Sequence, residues 1–239
     1  EIWVLDIATN TLSRLAQGMR PAWTADGTRI VFVQETPRAL SWIPADASGP
    51  AEQLASGDFS EAHATPDGQS MVVRLGRTST TFDIALLPLQ GDRTPIPLIA
   101  TPASESMPRV SPDGRWLAYV SNESGEREVY VRPLRGGART QISPRGGVQP
   151  VWAPDGKRIY FINNTVLYAA EVQASPTSLA VVRRDSLFAV NFRGNVQAHQ
   201  TYDISPDGQR FVGVDALGSG LRLKVILNWL DEVRPRLRQ

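Results

Sequence analysis

The chain has no cysteine. Disulfides, thiol nucleophiles and cysteine-held metals are therefore excluded, although this does not fix the compartment. Histidine is nearly absent too: His63 and His199 are the only two, far apart in the sequence. No stretch approaches the ~18 apolar residues of a membrane span, so no membrane contact by this segment is expected. No stretch before the C-terminus sustains an apolar stripe at helical spacing. An excess of one charge is also missing, since 25 Lys and Arg face 24 Asp and Glu, a formal net charge of +1. A nucleic-acid partner calls for a basic excess or stripe, and here the charges are interspersed. Arg234, Arg236 and Arg238 form the one local excess and read as a solvated end.

What the chain does have is a recurring corner. It reads Thr24-Ala25-Asp26-Gly27, Thr65-Pro66-Asp67-Gly68, Ser111-Pro112-Asp113-Gly114, Ala153-Pro154-Asp155-Gly156 and Ser205-Pro206-Asp207-Gly208. The aspartates are 41, 46, 42 and 52 positions apart. Proline presets φ for the second turn position, aspartate suits the third, and glycine supplies the positive φ of a hairpin bulge at the fourth. A short apolar run follows each corner: Arg29–Val33, Ser70–Val73, Trp116–Val120, Arg158–Ile162 and Arg210–Val214. Nearly continuous apolar strands belong to sheets covered on both faces. A period near forty holding four short antiparallel strands predicts an all-β fold, a β-propeller of four-stranded blades.

The whole chain is expected to form one propeller domain. Repeats fall near 17–57, 58–101, 102–145, 146–191 and 198–230, with outer strands of an incomplete first blade over 1–16 and a tail at 231–239. Six blades are the expected natural number, and the opening Glu1-Ile2-Trp3-Val4-Leu5-Asp6, already a strand, suggests a piece of a longer protein. Trp23 and Trp152, each three residues before a turn aspartate, are expected to wedge between blades.

No catalytic set emerges. There is no Gly-x-Ser-x-Gly elbow, no His-Glu-x-x-His and no kinase loop. A calcium loop would need several converging carboxylates, whereas each corner offers one. Asp26, Asp67, Asp113, Asp155 and Asp207, with Gly27, Gly68, Gly114, Gly156 and Gly208, therefore read as structural turns. No metal and no cofactor is expected. The residues entering the inner strands, Arg20, Glu61, His63, Arg109, Gln149, His199 and Tyr202, are mixed in charge. As a channel mouth they suit a protein segment or a small polar ligand better than chemistry.

The repeat Pro-x-Trp/Val-Ser-Pro-Asp-Gly-x-x-Ile/Leu-x-Phe/Tyr-Val resembles the TolB-like subclass of WD-related propeller repeats. Two departures stand out: Ala25 replaces the proline, and the stretch Ser175–Thr201 is longer than the other connections. The segment Lys224–Val233, with Leu227-Asn228-Trp229-Leu230 at its centre, is similar to the ending of propellers appended to bacterial serine/threonine kinases. That resemblance implies a non-enzymatic sensory or scaffolding module on the extracytoplasmic side of a signalling protein. The alternative is the access-gating propeller of a prolyl-oligopeptidase-type peptidase whose catalytic domain lies elsewhere.

Overall fold

The five Asp-Gly corners close with one set of bonds. Their glycines have φ between 67° and 72°, and each donates its N–H to the carbonyl three residues back at 2.8–3.0 Å. Each aspartate accepts the N–H two residues ahead, from Thr28, Gln69, Arg115, Lys157 and Gln209. In four corners the hydroxyl that opens the motif adds two more bonds. Thr24, Thr65, Ser111 and Ser205 donate to the turn aspartate and accept the N–H that starts the next strand. Ala25 leaves the first corner unchanged, because proline only preorganises φ and the Gly27 N–H still reaches Thr24 at 3.0 Å.

The computed structural model describes residues 1–78, 81–190, 200–217 and 220–227. Among these every regular element is a strand. The chain divides into two compact units, Glu1–Val110 and Ser111–Gln239.

The first unit opens with β1 (Ile2–Asp6) and β2 (Thr11–Ala16), a two-stranded sheet. Next come β3 (Met19–Trp23), β4 (Arg29–Glu35), β5 (Arg38–Pro44) and β6 (Glu52–Ser56), hydrogen-bonded in that order. The following sheet runs β7 (Phe59–Ala64), β8 (Ser70–Gly76), β9 (Phe82–Pro88) and β10 (Ile96–Ile99). The unit ends with β11 (Glu105–Val110).

Alternation along β4 shows why its sequence is apolar throughout. Ile30 and Phe32 pack with Ile2 and Ile43 towards the two-stranded sheet. Val31 and Val33 point the other way and meet Met71, Val73, Ala85 and Leu87 of the next sheet. All four β4 residues are buried, each burial being worth roughly 1.5–3 kcal/mol. A polar residue at any of them would face a sheet, whichever side it took.

The second unit contains β12 (Trp116–Ser121), β13 (Glu128–Pro133) and the short β14 (Thr140–Gln141). Then come β15 (Val148–Trp152), β16 (Arg158–Asn163), β17 (Val166–Ala174) and β18 (Leu179–Ala189), paired in sequence, and a three-stranded sheet of β19 (Tyr202–Ile204), β20 (Arg210–Leu217) and β21 (Gly220–Leu227). Much of the long connection after Ser175 becomes β18, which pairs along β17 from Val166↔Ala189 to Ala174↔Leu179. The last two sheets meet through aromatic rings. Tyr160 and Phe211 are T-shaped at 4.9 Å, and Phe188 lies 5.9 Å from Phe211.

One expectation about packing is corrected. Trp152 is 7% exposed, as a wedge should be, but Trp23 at the same register is 52% exposed. Trp23 pairs with Ile30 and so faces the two-stranded sheet. Among the described residues that sheet consists of β1 and β2, with no inner strands to cover the ring. The tail beginning at Asn228, and with it most of Lys224–Val233, lies outside the described residues.

Candidate functional site

Six residues before the turn aspartates stand Arg20, Glu61, Met107, Gln149 and Thr201, and at the first four the inner strand is irregular in register or backbone. Register breaks fall between Met19 and Ala22, Phe59 and Glu61, and Val148 and Val151. Arg20, Met107 and Gln149 take φ of 56°, 53° and 58°. A left-handed backbone costs a non-glycine residue about 1–2 kcal/mol, and a bulge re-aims the side chain it carries.

The re-aimed side chains clasp the neighbouring inner strand. Arg20 Nη1 donates to the Ser60 carbonyl at 2.5 Å. Glu61 Oε2 accepts the Met107 N–H at 2.7 Å. Gln149 Oε1 accepts the Thr201 N–H at 2.8 Å and its hydroxyl at 2.9 Å, while the Tyr202 hydroxyl donates to the Gln149 carbonyl at 2.8 Å. Sequence reasoning missed Ser60, Met107 and Thr201. Their signal is the constant offset from the turn aspartate, visible only when the copies are stacked.

Of the seven candidate channel-mouth residues, four thus belong to these clasps: Arg20 and Glu61 in the first unit, Gln149 and Tyr202 in the second. Gln149 is fully buried and Tyr202 is 3% exposed. His63 and Arg109 lie on β7 and β11, whereas His199 lies outside the described residues. No three His, Asp or Glu side chains gather to hold a metal among the described residues.

Electrostatics concentrate around Glu61. Burial pushes its carboxyl up, and Arg74, Arg109 and Arg20 all oppose that. Arg74 Nη1 stands 3.5 Å from Glu61 Oε1, and its guanidinium lies 3.6 Å over the Phe82 ring. Desolvation and, after it, the Arg109 charge push the His63 imidazole down to about 3. It is therefore neutral at physiological pH, and its buried Nδ1 has no partner among the described residues.

A cleft of about 470 Å³ opens beside this cluster, between the two four-stranded sheets of the first unit. Arg20, Ser60 and Arg74 lie on it, with Arg38 and Asp58 paired beside them and Phe59 and Phe82 as apolar wall.

The description "TolB beta propeller domain" belongs to the family model that matches residues 19–182. The chain is 40% identical over 55 residues to "Uncharacterized peptidase YuxL" of Bacillus subtilis, covering 22% of this chain and 8% of that protein. It is 31% identical over 113 residues to "Dipeptidyl-peptidase 5" of Porphyromonas gingivalis, covering 41% of this chain and 16% of that protein. The matched segments thus span less than a fifth of either relative. Among solved structures, TolB from Acinetobacter baumannii superposes with a TM-score of 0.70 at 17% identity, over 95% of this chain and 56% of that one. At that identity the likeness concerns the fold.

Proposed function

Because the chain belongs to the TolB β-propeller domain family, we propose that it is a non-catalytic recognition module of a larger protein, taking a protein segment or small polar ligand. The observation that carries this reading is what its repeated polar residues do. The turn aspartates bind their own hairpins, and Glu61 and Gln149 bind the next inner strand. The motif that defines the repeat is thereby accounted for by folding, and recognition falls to clefts and loops that the rigid sheets position. The test is calorimetric titration of the purified chain with a panel of polar peptides, alongside turnover of peptide and ester substrates. Saturable one-to-one binding without turnover is the expected result. Turnover by this chain alone, abolished by one substitution, would overturn it.

A second reading is favoured by the names of the two relatives, both peptidases. In it the propeller restricts access to a hydrolase domain elsewhere in the parent protein. The receptor-kinase setting, on the extracytoplasmic side, rests on the sequence around Leu227-Asn228-Trp229-Leu230. The parent reading frame separates the two. A Gly-x-Ser-x-Gly segment downstream supports the peptidase, and kinase motifs followed by a membrane span upstream support the receptor.

A further inference from the structure

One gap between the corners of the second unit stands open. A side-chain carbon added at Gly208 would lie 3.7 Å from Pro154 Cδ, so the last corner abuts the one before it. In the first unit a carbon on Gly68 would lie 3.7 Å from Ala25 Cβ in the same way. A carbon on Gly156 would meet nothing within 4 Å. A cleft of about 800 Å³ opens there, between the Pro112 and Pro154 corners, with residues 171–174 of β17 and Val182 of β18 on its other side. That volume is within the range of ligand sites. The pairing of β17 with β18 steps from Glu171↔Arg183 to Val172↔Val181 and skips Val182. The bulge leaves Val182 60% exposed, and Pro112, Pro154 and Ala174 are exposed with it.

Three carboxylates line this cleft, and two are engaged. Asp113 accepts the Ser111 hydroxyl and the Arg115 N–H, and the Arg115 guanidinium stands 3.9 Å from its second oxygen. Arg115 also donates to the Ser175 carbonyl at 2.6 Å. Glu171 has the Arg183 guanidinium at 3.9 Å. Asp155 receives the Lys157 N–H on Oδ1 and, among the described residues, no donor on Oδ2. Thr28 and Arg210 fill the second oxygens of Asp26 and Asp207. Ala153 withholds the opening hydroxyl as well. Asp155 thus accepts one bond where the other four turn aspartates accept at least two. Lys157 is the one cation on the cleft itself; it is exposed, makes no ion pair among the described residues, and is screened by solvent.

We infer that this cleft receives an arginine side chain of an extended protein segment, with the guanidinium on Asp155 Oδ2 and the aliphatic stem between Pro112 and Pro154. A guanidinium gives a carboxylate a charge-assisted bond, which is what Asp155 lacks. Its methylene stem covers apolar surface while the head stays polar, and prolines beside a carboxylate match both parts. The cleft is larger than one side chain, and exposed Val182 and Ala174 offer apolar contact to the residues that flank the arginine. A bound cation such as calcium would need several converging carboxylates, and no such group gathers among the described residues. This inference deepens the recognition reading and rests on it.

The experiment follows backbone amide resonances of the intact chain during titration with acetyl-Val-Arg-Val-amide. The same peptide with citrulline or lysine in place of arginine, and argininamide alone, are the other arms. The arginine peptide is expected to shift Asp155, Gly156 and Val182. The citrulline peptide keeps the shape and loses the charge, and is expected to bind about fivefold more weakly. The lysine peptide, a point charge without the fork, is expected to lose about threefold. Asp155→Asn keeps an oxygen for the Lys157 N–H and should leave the melting temperature within a few degrees, yet erase the preference for arginine over citrulline. Lys157→Gln removes a repelling cation and is expected to tighten the arginine peptide about twofold. Equal binding of the arginine and citrulline peptides would overturn the assignment. So would a preference that survives Asp155→Asn, weaker binding in Lys157→Gln, argininamide binding as tightly as the peptide, or no saturable shift at Asp155. If the arginine peptide binds but shifts only residues elsewhere, this site falls and the recognition reading stands. Hydrolysis of the peptide would sink that reading instead.

Discussion

In four of the five corners a single hydroxyl decides much of the stability. Ser111 is 2% exposed, donates to Asp113 and accepts the Trp116 N–H. Ser111→Ala removes both bonds from a buried site and is expected to cost about 1–2 kcal/mol, read from urea unfolding midpoints. The fourth corner supplies the reverse experiment. Ala153 occupies the same place, is itself buried, and has no hydroxyl to offer Asp155. Ala153→Ser is expected to raise stability by about 0.5–1 kcal/mol, and a loss there would show that the corners are not interchangeable. The acidic side of the pH profile depends on other groups. The Thr24 hydroxyl and the Thr28 N–H hold Asp26 down to about 2, so its contribution is present above the ordinary carboxylate range and disappears as pH falls towards 2. His63 acts at milder pH. Its folded value of about 3 lies below the ordinary imidazole value of 6.5, so between these the unfolded chain binds the extra proton. Its contribution is full above pH 6.5 and is lost as pH falls through that window, by up to about 1.4 kcal/mol per unit. Glu61, pushed up by burial, works in the opposite sense, since the folded chain then holds its proton more tightly. The comparison that isolates the imidazole is thermal unfolding at pH 7 and pH 5 for the wild type and His63→Gln. The wild type should lose more between the two pH values; parallel losses would mean that His63 is not held neutral. The corner residues were legible in the sequence because turn chemistry is local. The opening Thr or Ser is visible as the corner's first residue, but the bonding of its hydroxyl is not, since the N–H it accepts belongs to a residue five positions on.

At the scale of elements, the irregular residues Arg20, Glu61 and Gln149 tie neighbouring inner strands together within each unit. Gln149 combines the two costs involved, a φ of 58° and a side chain buried against Thr201. Gln149→Ala keeps the backbone strain and strands the Thr201 N–H. Gln149→Gly relieves the strain and strands the same group. Both should destabilise, by about 1–3 kcal/mol for the lost acceptor, with alanine worse than glycine by about 1 kcal/mol. If the two variants unfold at the same denaturant concentration, the left-handed backbone at Gln149 is not strained. The second strands were legible because burial on both faces writes a continuous apolar run, Ile30–Val33 being the plainest case. The bulges were not. Nothing local marks Arg20, Met107 or Gln149 for a positive φ, a conformation usually left to glycine, asparagine or aspartate. The clasps are also long-range: Gln149 and Thr201 are 52 residues apart. So Arg20, Glu61 and Gln149 could be chosen from the sequence as notable polar residues of the inner strands, while their engagement by the next strand could not.

At the scale of the molecule, the repeats are not equally covered, and Trp23 against Trp152 measures the difference. Trp152 pairs with Ile159, as Trp23 pairs with Ile30, and the two tryptophans occupy the same register. One is 7% exposed and the other 52%. Trp3, Leu5 and Leu12 of the two-stranded sheet are exposed as well, at 47%, 47% and 59%. Position in the repeat therefore does not set burial; the presence of an inner strand on the preceding sheet does. Among the described residues β1 pairs with β2 alone and its other edge is unpaired, and unpaired edges accept further strands. Grafting a second copy of the chain's own inner hairpin, Glu105–Ser121, ahead of Glu1 through a short polar linker would supply two strands to that edge. The expected outcome is a higher melting temperature and less quenching of tryptophan emission by acrylamide. Trp23→Ser in the grafted chain should then cost roughly 3 kcal/mol or more, as truncating a buried tryptophan does, against little in the parent chain, where the ring is half in water. Equal costs in the two backgrounds would mean that the added strands do not reach the Trp23 face, and that the first sheet is complete with two.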